Sequence, residues 1–244
     1  MRGDILKKKL MVLCAVAIMI STCLTGCKMS SGKIRFGSAG IGGTYQIFGD
    51  TFANLISSKS KKYNIEVKTT AGSAANLRLL SKDYIQMAVA QMDLINDAYN
   101  RTGIFENDKK YQGYRAVASL YTEACQIVIP ADSDIQSVDD LEGKKVCIGE
   151  EESGTEQNAL QILNAYGLNE KLVDTVNLNY TDAAKKLKSG DIDAFFCTAG
   201  VQTTVINELS KQCKIRLVSL DQKGISRLKK SYKFYTEYTC LLYT

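Results

Sequence analysis

The chain has 244 residues, is 45% hydrophobic and 23% charged, and carries a formal net charge of +5, the profile of a folded globular protein rather than a disordered one. It contains no histidine and no tryptophan and a single proline, so imidazole base chemistry, His-ligated metals and Ser-His-Asp triads are excluded. A small charge spread over this length, with no run that clusters Lys/Arg among stacking aromatics, argues against nucleic acid and for a small-molecule partner.

In chain order, Arg2, Lys7, Lys8 and Lys9 precede an apolar run from Leu10 to Leu24, the positive head and short core of an export signal. Those four basic residues against Asp4 account for three of the five net charges. The run is too short, and too interrupted by Ser21 and Thr22, for a membrane span of about 20 residues. Leu24-Thr25-Gly26-Cys27 is similar to a bacterial lipobox, which makes residues 1–26 a lipoprotein signal peptide and Cys27 the lipidated residue. Residues 27–33 then form a polar tether.

From Lys33 onward, short β-branched runs alternate with helical patterns, as in parallel sheets built from βαβ units. The runs predict strands at Ile34–Gly37, Ile65–Thr69, Met87–Ala90, Arg115–Leu120, Gln126–Pro130, Lys145–Ile148, Val176–Leu178, Ala194–Thr198 and Ile215–Val218. Apolar residues at three- and four-residue steps predict helices at Tyr45–Ser57, Ala74–Ser81, Leu94–Tyr99, Thr155–Tyr166, Thr181–Lys188 and Thr203–Leu209. Arg101 to Tyr114 is polar, carries Gly103 and Gly113, and is expected to be a surface loop. Cys125, Cys147 and Cys197 lie in apolar runs with no C-x-x-C spacing, so they are expected to pack as small hydrophobes. A break near Tyr121 to Ala124 divides residues 34–120 and 125–218 into two α/β lobes joined by a hinge at 121–124, with 219–244 returning toward the first lobe.

Ligands of open α/β sheets bind beyond the carboxyl ends of strands, so three loops stand out. Gly37-Ser-Ala-Gly-Ile-Gly-Gly-Thr-Tyr45 follows the first strand and runs into a helix, but its glycines do not give G-x-G-x-x-G and no P-loop lysine follows. It is expected to seat an anion or zwitterion on free N–H groups, with Thr44 as the competing structural cap. Thr69-Thr-Ala-Gly-Ser-Ala-Ala-Asn76 places Ser73 at a helix start, as cap or ligand donor, and Asn76 across the first turn. Gly149-Glu-Glu-Glu-Ser-Gly-Thr-Glu156 offers Ser153, Gly154 and Thr155 from the other lobe, and Glu150 to Glu152 are expected to form a solvated edge.

The series F-G-S-A-G-I-G-G-T-Y, T-A-G-S-A-A-N-L-R-L-L, Q-M-D, D-L-E-G-K-K-V-C-I-G, S-G-T-E, G-D-I-D-A-F-F and Y-x-F-Y-T-E-Y-T, in order from about Ile34 to Thr239, resembles the TAXI family of TRAP-transporter solute-binding proteins. The resemblance implies an α/β, two-lobed, periplasmic-binding-protein-like fold (type II, Venus flytrap). It also implies an extracytoplasmic receptor, lipid-anchored at the cell surface or in the periplasm, that hands a small carboxylate or an amino acid such as glutamate or glutamine to an ion-driven membrane permease. No catalysis, cofactor or metal is implied, and a module serving a sensor is the other binding role. Carried residue by residue, the ligand set is Gly42, Gly43, Thr44 and Tyr45, then Ser73 and Asn76, then Gln91 and Asp93, and Ser153, Gly154 and Thr155 from the second lobe. Asp93 is either a contact for a ligand amine or a cap for the helix from Leu94. The chain departs from the family at Gly200-Val-Gln-Thr203 and at Lys233, where prolines are usual, and at Cys240-Leu-Leu-Tyr-Thr244, which reads as a truncated C-terminal part and leaves a non-functional fragment as the competing expectation.

Overall fold

The computed structural model describes residues 32–109, 111–201 and 203–239; residues 1–26, expected to be a signal peptide, Cys27 and Cys240 to Thr244 lie outside the described residues. Two sheets organise the chain. The first is parallel, in order β2-β1-β3, from β1 (Lys33–Gly37), β2 (Asn64–Lys68) and β3 (Met87–Ala88). Three helices accompany it, α1 (Thr44–Lys59), α2 (Ser73–Ser81) and α3 (Met92–Asn100). Each strand runs through its loop into the next helix, the right geometry for parallel neighbours. Phe48 and Phe52 of α1 stack at 5.8 Å and both rings meet Phe36 of β1.

The second sheet has the order β6-β5-β7-β4-β8, from β4 (Ala124–Pro130), β5 (Lys145–Cys147), β6 (Asp174–Val176), β7 (Ala194–Ala199) and β8 (Ile215–Leu217). β5, β6 and β7 are parallel, whereas β4 runs antiparallel to both β7 and β8. β7 is buried along its whole length, which is why its sequence is a continuous apolar run rather than an alternating one. Its side chains still divide by face: Ala194 and Phe196 enter one core with Ile127 and Ile129, and Phe195, Cys197 and Ala199 enter the other with Val128. Helices α4 (Gly154–Ala165), α5 (Tyr180–Ser189), α6 (Thr204–Ser210) and α7 (Gln222–Ser231) cover the two faces.

Three expectations change. Arg115 to Leu120 is in neither sheet. No described strand occupies the slot beside β3 that β4 fills beside β7, so this segment has no ladder to join, and Ala116, Ala118 and Ser119 give it little apolar area to bury. Val117 is 86% exposed. The segment from Arg101 to Tyr114 is a surface loop, as expected, with one buried anchor: a 3-10 turn at Gly103–Phe105 drives Phe105 into the first lobe's core, edge-on to Tyr111 at 5.7 Å. Helix α7 was not expected, because only Ile225 and Leu228 mark its inner face among Lys and Gly. Finally, the start of the return segment belongs to the second lobe, where Leu228, Tyr232 and Tyr235 pack on the core that α4 also covers. Cys147 and Cys197 are buried free thiols, as their apolar runs predict.

Candidate functional site

The glycine and hydroxyl loops meet across the seam between the lobes. They enclose a cavity of about 40 Å³, little more than the roughly 30 Å³ that one water occupies in the liquid. Gly43, Thr44 and Tyr45 line it from the start of α1, Ser73 from the start of α2, and Gln91 from the start of α3. Ser153, Gly154 and Thr155 line it from the start of α4, joined by Asn179 and Tyr180 at the start of α5 and Thr198 at the end of β7.

The helix starts differ in how their backbone donors are used. α1 and α2 begin after Gly43 and Gly72 with no side-chain cap, so neither Thr44 nor Ser73 serves as the N-cap. Both residues are already helical. Ser73 instead accepts the Gln91 N–H at 3.1 Å, which fixes the β3–α3 loop against α2. In the second lobe Ser153 caps α4 by accepting the Glu156 N–H at 3.0 Å, and Asn179 caps α5 by accepting the Asp182 N–H at 2.9 Å. The uncapped α1 start therefore presents N–H groups and positive potential at the cavity, where an anionic ligand group would be favoured.

Direct hydrogen bonds span the seam. The Ala75 N–H donates to the Glu152 carbonyl at 3.1 Å, Gln91 Nε2 to Asn158 Oδ1 at 2.9 Å, and Thr181 Oγ1 to the Ile41 carbonyl at 3.3 Å. Arg78 Nε donates to Glu152 Oε1 at 3.0 Å while its Nη1 holds Asp108 at 2.9 Å. At two places a side chain of the opposite lobe lies where a glycine's Cβ would be, and would have to swing aside for any larger residue. A Cβ on Gly154 would lie 1.7 Å from Gln91 Oε1, and one on Gly40 would lie 1.7 Å from Glu150 Oε2. Gly42 approaches α5 at Thr181.

Three candidates sit elsewhere. Gly42 is not among the residues that line the cavity and packs instead toward Thr181. Asn76 is wholly buried, donating to the Ser38 and Val89 carbonyls at 2.7 and 2.9 Å and accepting from Thr70 Oγ1 at 2.8 Å, so its amide ties β1, α2 and β3 together instead of facing the cavity. Asp93 accepts the Leu94 N–H at 2.8 Å and Asn158 Nδ2 at 3.4 Å and does not line the cavity; burial raises its carboxyl above the usual range.

The sequence reading missed several residues at the seam. Of Glu150 to Glu152 only Glu151 is exposed as a solvated edge would be: Glu150 lines the cavity and Glu152 bridges to α2 through both its backbone and its side chain. Tyr180 donates to the Thr198 carbonyl at 2.9 Å. Glu123, one residue before β4, accepts Tyr45 OH at 3.0 Å and Tyr121 OH at 3.3 Å. Burial pushes the Glu123 carboxyl up to about 7, against the lowering effect of these hydrogen bonds. No local pattern marks Glu123, because its partners lie on other elements; its one sequence signal was the position at the lobe boundary.

A family model for the NMT1-like family matches residues 36–241, and the chain belongs to that family. Solved structures confirm the two-lobed α/β fold of periplasmic binding proteins. The alkanesulfonate-binding protein SsuA from Xanthomonas axonopodis pv. citri, solved with MOPS, superposes with a TM-score of 0.52 at 17% identity over 77% of this chain and 60% of its own. The chain thus spans about three fifths of that protein's length. An ancestral arginine-binding protein bound to arginine matches at a TM-score of 0.51 and 18% identity, over 83% of this chain and 93% of its own. A binding-protein component of an ABC phosphonate transporter from Pseudomonas aeruginosa matches at 0.54 and 12%, over 82% and 74%.

Proposed function

We propose that the protein is an extracytoplasmic solute-binding receptor of the TAXI type, which closes its lobes on a small carboxylate or amino acid and delivers it to a TRAP membrane permease. The observation that carries this reading is convergence: segments from both lobes, from Ala39 in the first to Ala199 in the second, meet at one cavity. The function requires binding and release, not bond making. In this scheme the ligand's carboxylate rests on the uncapped α1 start, with Gly43, Thr44 and Tyr45 beneath it and Ser73 and Gln91 beside it. Ser153, Gly154 and Thr155 then close from the second lobe about a hinge at Tyr121 to Ala124. Asn76 acts by positioning these loops. Closure shifts a population between open and closed forms, which a ligand favours only by contacting both lobes.

Isothermal titration of the full chain against amino acids and small carboxylates tests the reading, and absence of binding to every member would overturn it. Gly154→Ala probes closure: the added methyl meets Gln91 across the seam, so Gln91 must move for the lobes to close, and affinity is expected to fall at least tenfold. The permease class is separable by energy source: uptake abolished by collapsing the ion gradient supports the TRAP assignment, and uptake that needs ATP hydrolysis supports an ABC partner. Cys27→Ala is expected to release the protein from the membrane if that thiol carries the lipid.

A further inference from the structure

Resting on the receptor reading above, a charge census of the cavity narrows its ligand. Among the described residues that line it, Glu123 and Glu150 are acidic and none is Lys or Arg. Glu123 accepts two tyrosine hydroxyls but has no ion-pair partner among the described residues, and Asp93 adds further negative potential to it. A carboxylate placed there without a counter-charge either keeps its proton or takes a cation from outside the chain. Beside it stands a second unsatisfied group. Thr198 is 8% exposed and lines the cavity, and its Oγ1 accepts no hydrogen bond, its polar neighbour being the Cys125 thiol. Gln91 Oε1, also at the cavity, is buried without a donor. These three groups offer acceptors to a donor that the protein does not provide. At the other side of the cavity the α1 start offers donors.

We propose that Glu123 recognises a ligand ammonium, with Thr198 Oγ1 and Gln91 Oε1 as its further acceptors, so that the cleft takes amine-bearing solutes, zwitterionic amino acids in particular, over simple carboxylates. In this arrangement the ammonium lies toward Glu123 and the carboxylate toward the N–H groups at the α1 start, with Glu150 beside Gly40 as the cavity's second acid. An ammonium is a compact point charge with three donors, matching three acceptors. The assignment differs from that expected for Asp93, whose carboxylate is spent on Leu94 and Asn158.

The test is titration calorimetry on the full chain with the twenty L-amino acids and with propionate, succinate and glutarate, the last three matching alanine, aspartate and glutamate without the amine. The proposal expects the binding amino acid to exceed its amine-free counterpart at least a hundredfold. Glu123→Gln, nearly isosteric and able to accept one of the tyrosine bonds, is expected to lose at least tenfold in affinity for the amino acid and nothing for the carboxylate. Equal binding of an amino acid and its amine-free match, or full affinity in Glu123→Gln, overturns the ammonium assignment and leaves the receptor reading standing. Failure of every compound to bind overturns the receptor reading itself. The matched ligand pairs on the unaltered protein decide the question even if Glu123→Gln does not fold.

Discussion

The two sheets are built on one plan to different degrees. In both, a parallel trio places the first strand in sequence centrally, β2-β1-β3 in one and β6-β5-β7 in the other. The second sheet goes further, because β4 enters antiparallel beside β7 and β8 pairs with β4's far edge. β3 has only β1 beside it among the described residues, and a broad groove of about 2520 Å³ opens there, lined by Phe36, Phe48, Phe52, Ile95 and Leu120 among others. A sheet closed by two more strands buries apolar side chains on both faces; a three-stranded sheet with an open edge cannot. The second lobe is therefore expected to be the more stable of the two, while the first carries the helix starts α1 and α2 that lack a side-chain cap.

The sharpest way to break this comparison is to hollow each core in turn. Phe196 is fully buried within β7, so Phe196→Ala is expected to cost about 3–5 kcal/mol in unfolding measured by denaturant titration. Phe36 is buried at the center of the first sheet but lines the groove, where water and neighbouring rings can readjust, so Phe36→Ala is expected to cost under about 3 kcal/mol. Equal losses would show that the first lobe packs as tightly as the second. Hydrogen exchange should agree, with β1 amides opening at lower free energy than those of β7.

The next effect joins the lobes. Glu123 faces Tyr45 of α1, Asp93 of α3, Tyr121 beside it in the chain, Cys125 of β4, Tyr180 of α5 and Cys197 of β7, none of them cationic. Its carboxyl is held near 7, raised above the ordinary value of 4.5 by burial first. The folded form therefore favours the proton. Its contribution to stability is fully present below about pH 4.5 and is lost as pH rises toward 7, a change of roughly 3 kcal/mol. Glu123→Gln should flatten that part of the melting profile between pH 5 and 8, and an unchanged slope would place the carboxyl in a wetter setting.

How much of this was legible in the chain follows from the range of the interactions. Parallel strands and their helices announced themselves through local periodicity, and the loops at their carboxyl ends could be picked out because glycine and hydroxyl residues cluster there. Arg115 to Leu120 was misread because a strand needs a neighbour, and pairing is not a local property. Helix α7 was missed because its solvent face outweighs its two apolar anchors. At the site, Ser153, Gly154 and Thr155 stood out by composition, yet Asn76 turned inward because three backbone carbonyls from β1 and β3 converge on it, and Glu123 was silent because Tyr45 lies 78 positions away.

Arg78 tests how firmly the first lobe is tied to its partner. Its guanidinium bridges Asp108 and Glu152 and lies over the Phe105 ring at 4.9 Å, joining the anchored loop, α2 and the opposite lobe. Partial exposure screens these pairs, so Arg78→Ala is expected to cost about 1–2 kcal/mol in melting experiments, with lost packing on Phe105 contributing as well as lost charge. Small-angle scattering should register a larger radius if the Glu152 bridge holds the lobes together.

The smallest expected effect isolates the contrast in helix starts. Gly43 has φ −87°, a conformation open to any residue, and a Cβ there would meet the Gly40 carbonyl at 3.4 Å and the Tyr180 ring at 3.6 Å, both tolerable contacts. Gly43→Ser can thus supply the side-chain cap that α1 lacks, and a gain of only a few tenths of a kcal/mol in stability is expected. The same hydroxyl would accept the N–H groups that the ligand carboxylate is proposed to use. Stability rising while affinity falls would mean that α1 is left uncapped for the ligand's sake. A stability gain with affinity unchanged would move the carboxylate seat away from α1 and toward the capped helices of the second lobe.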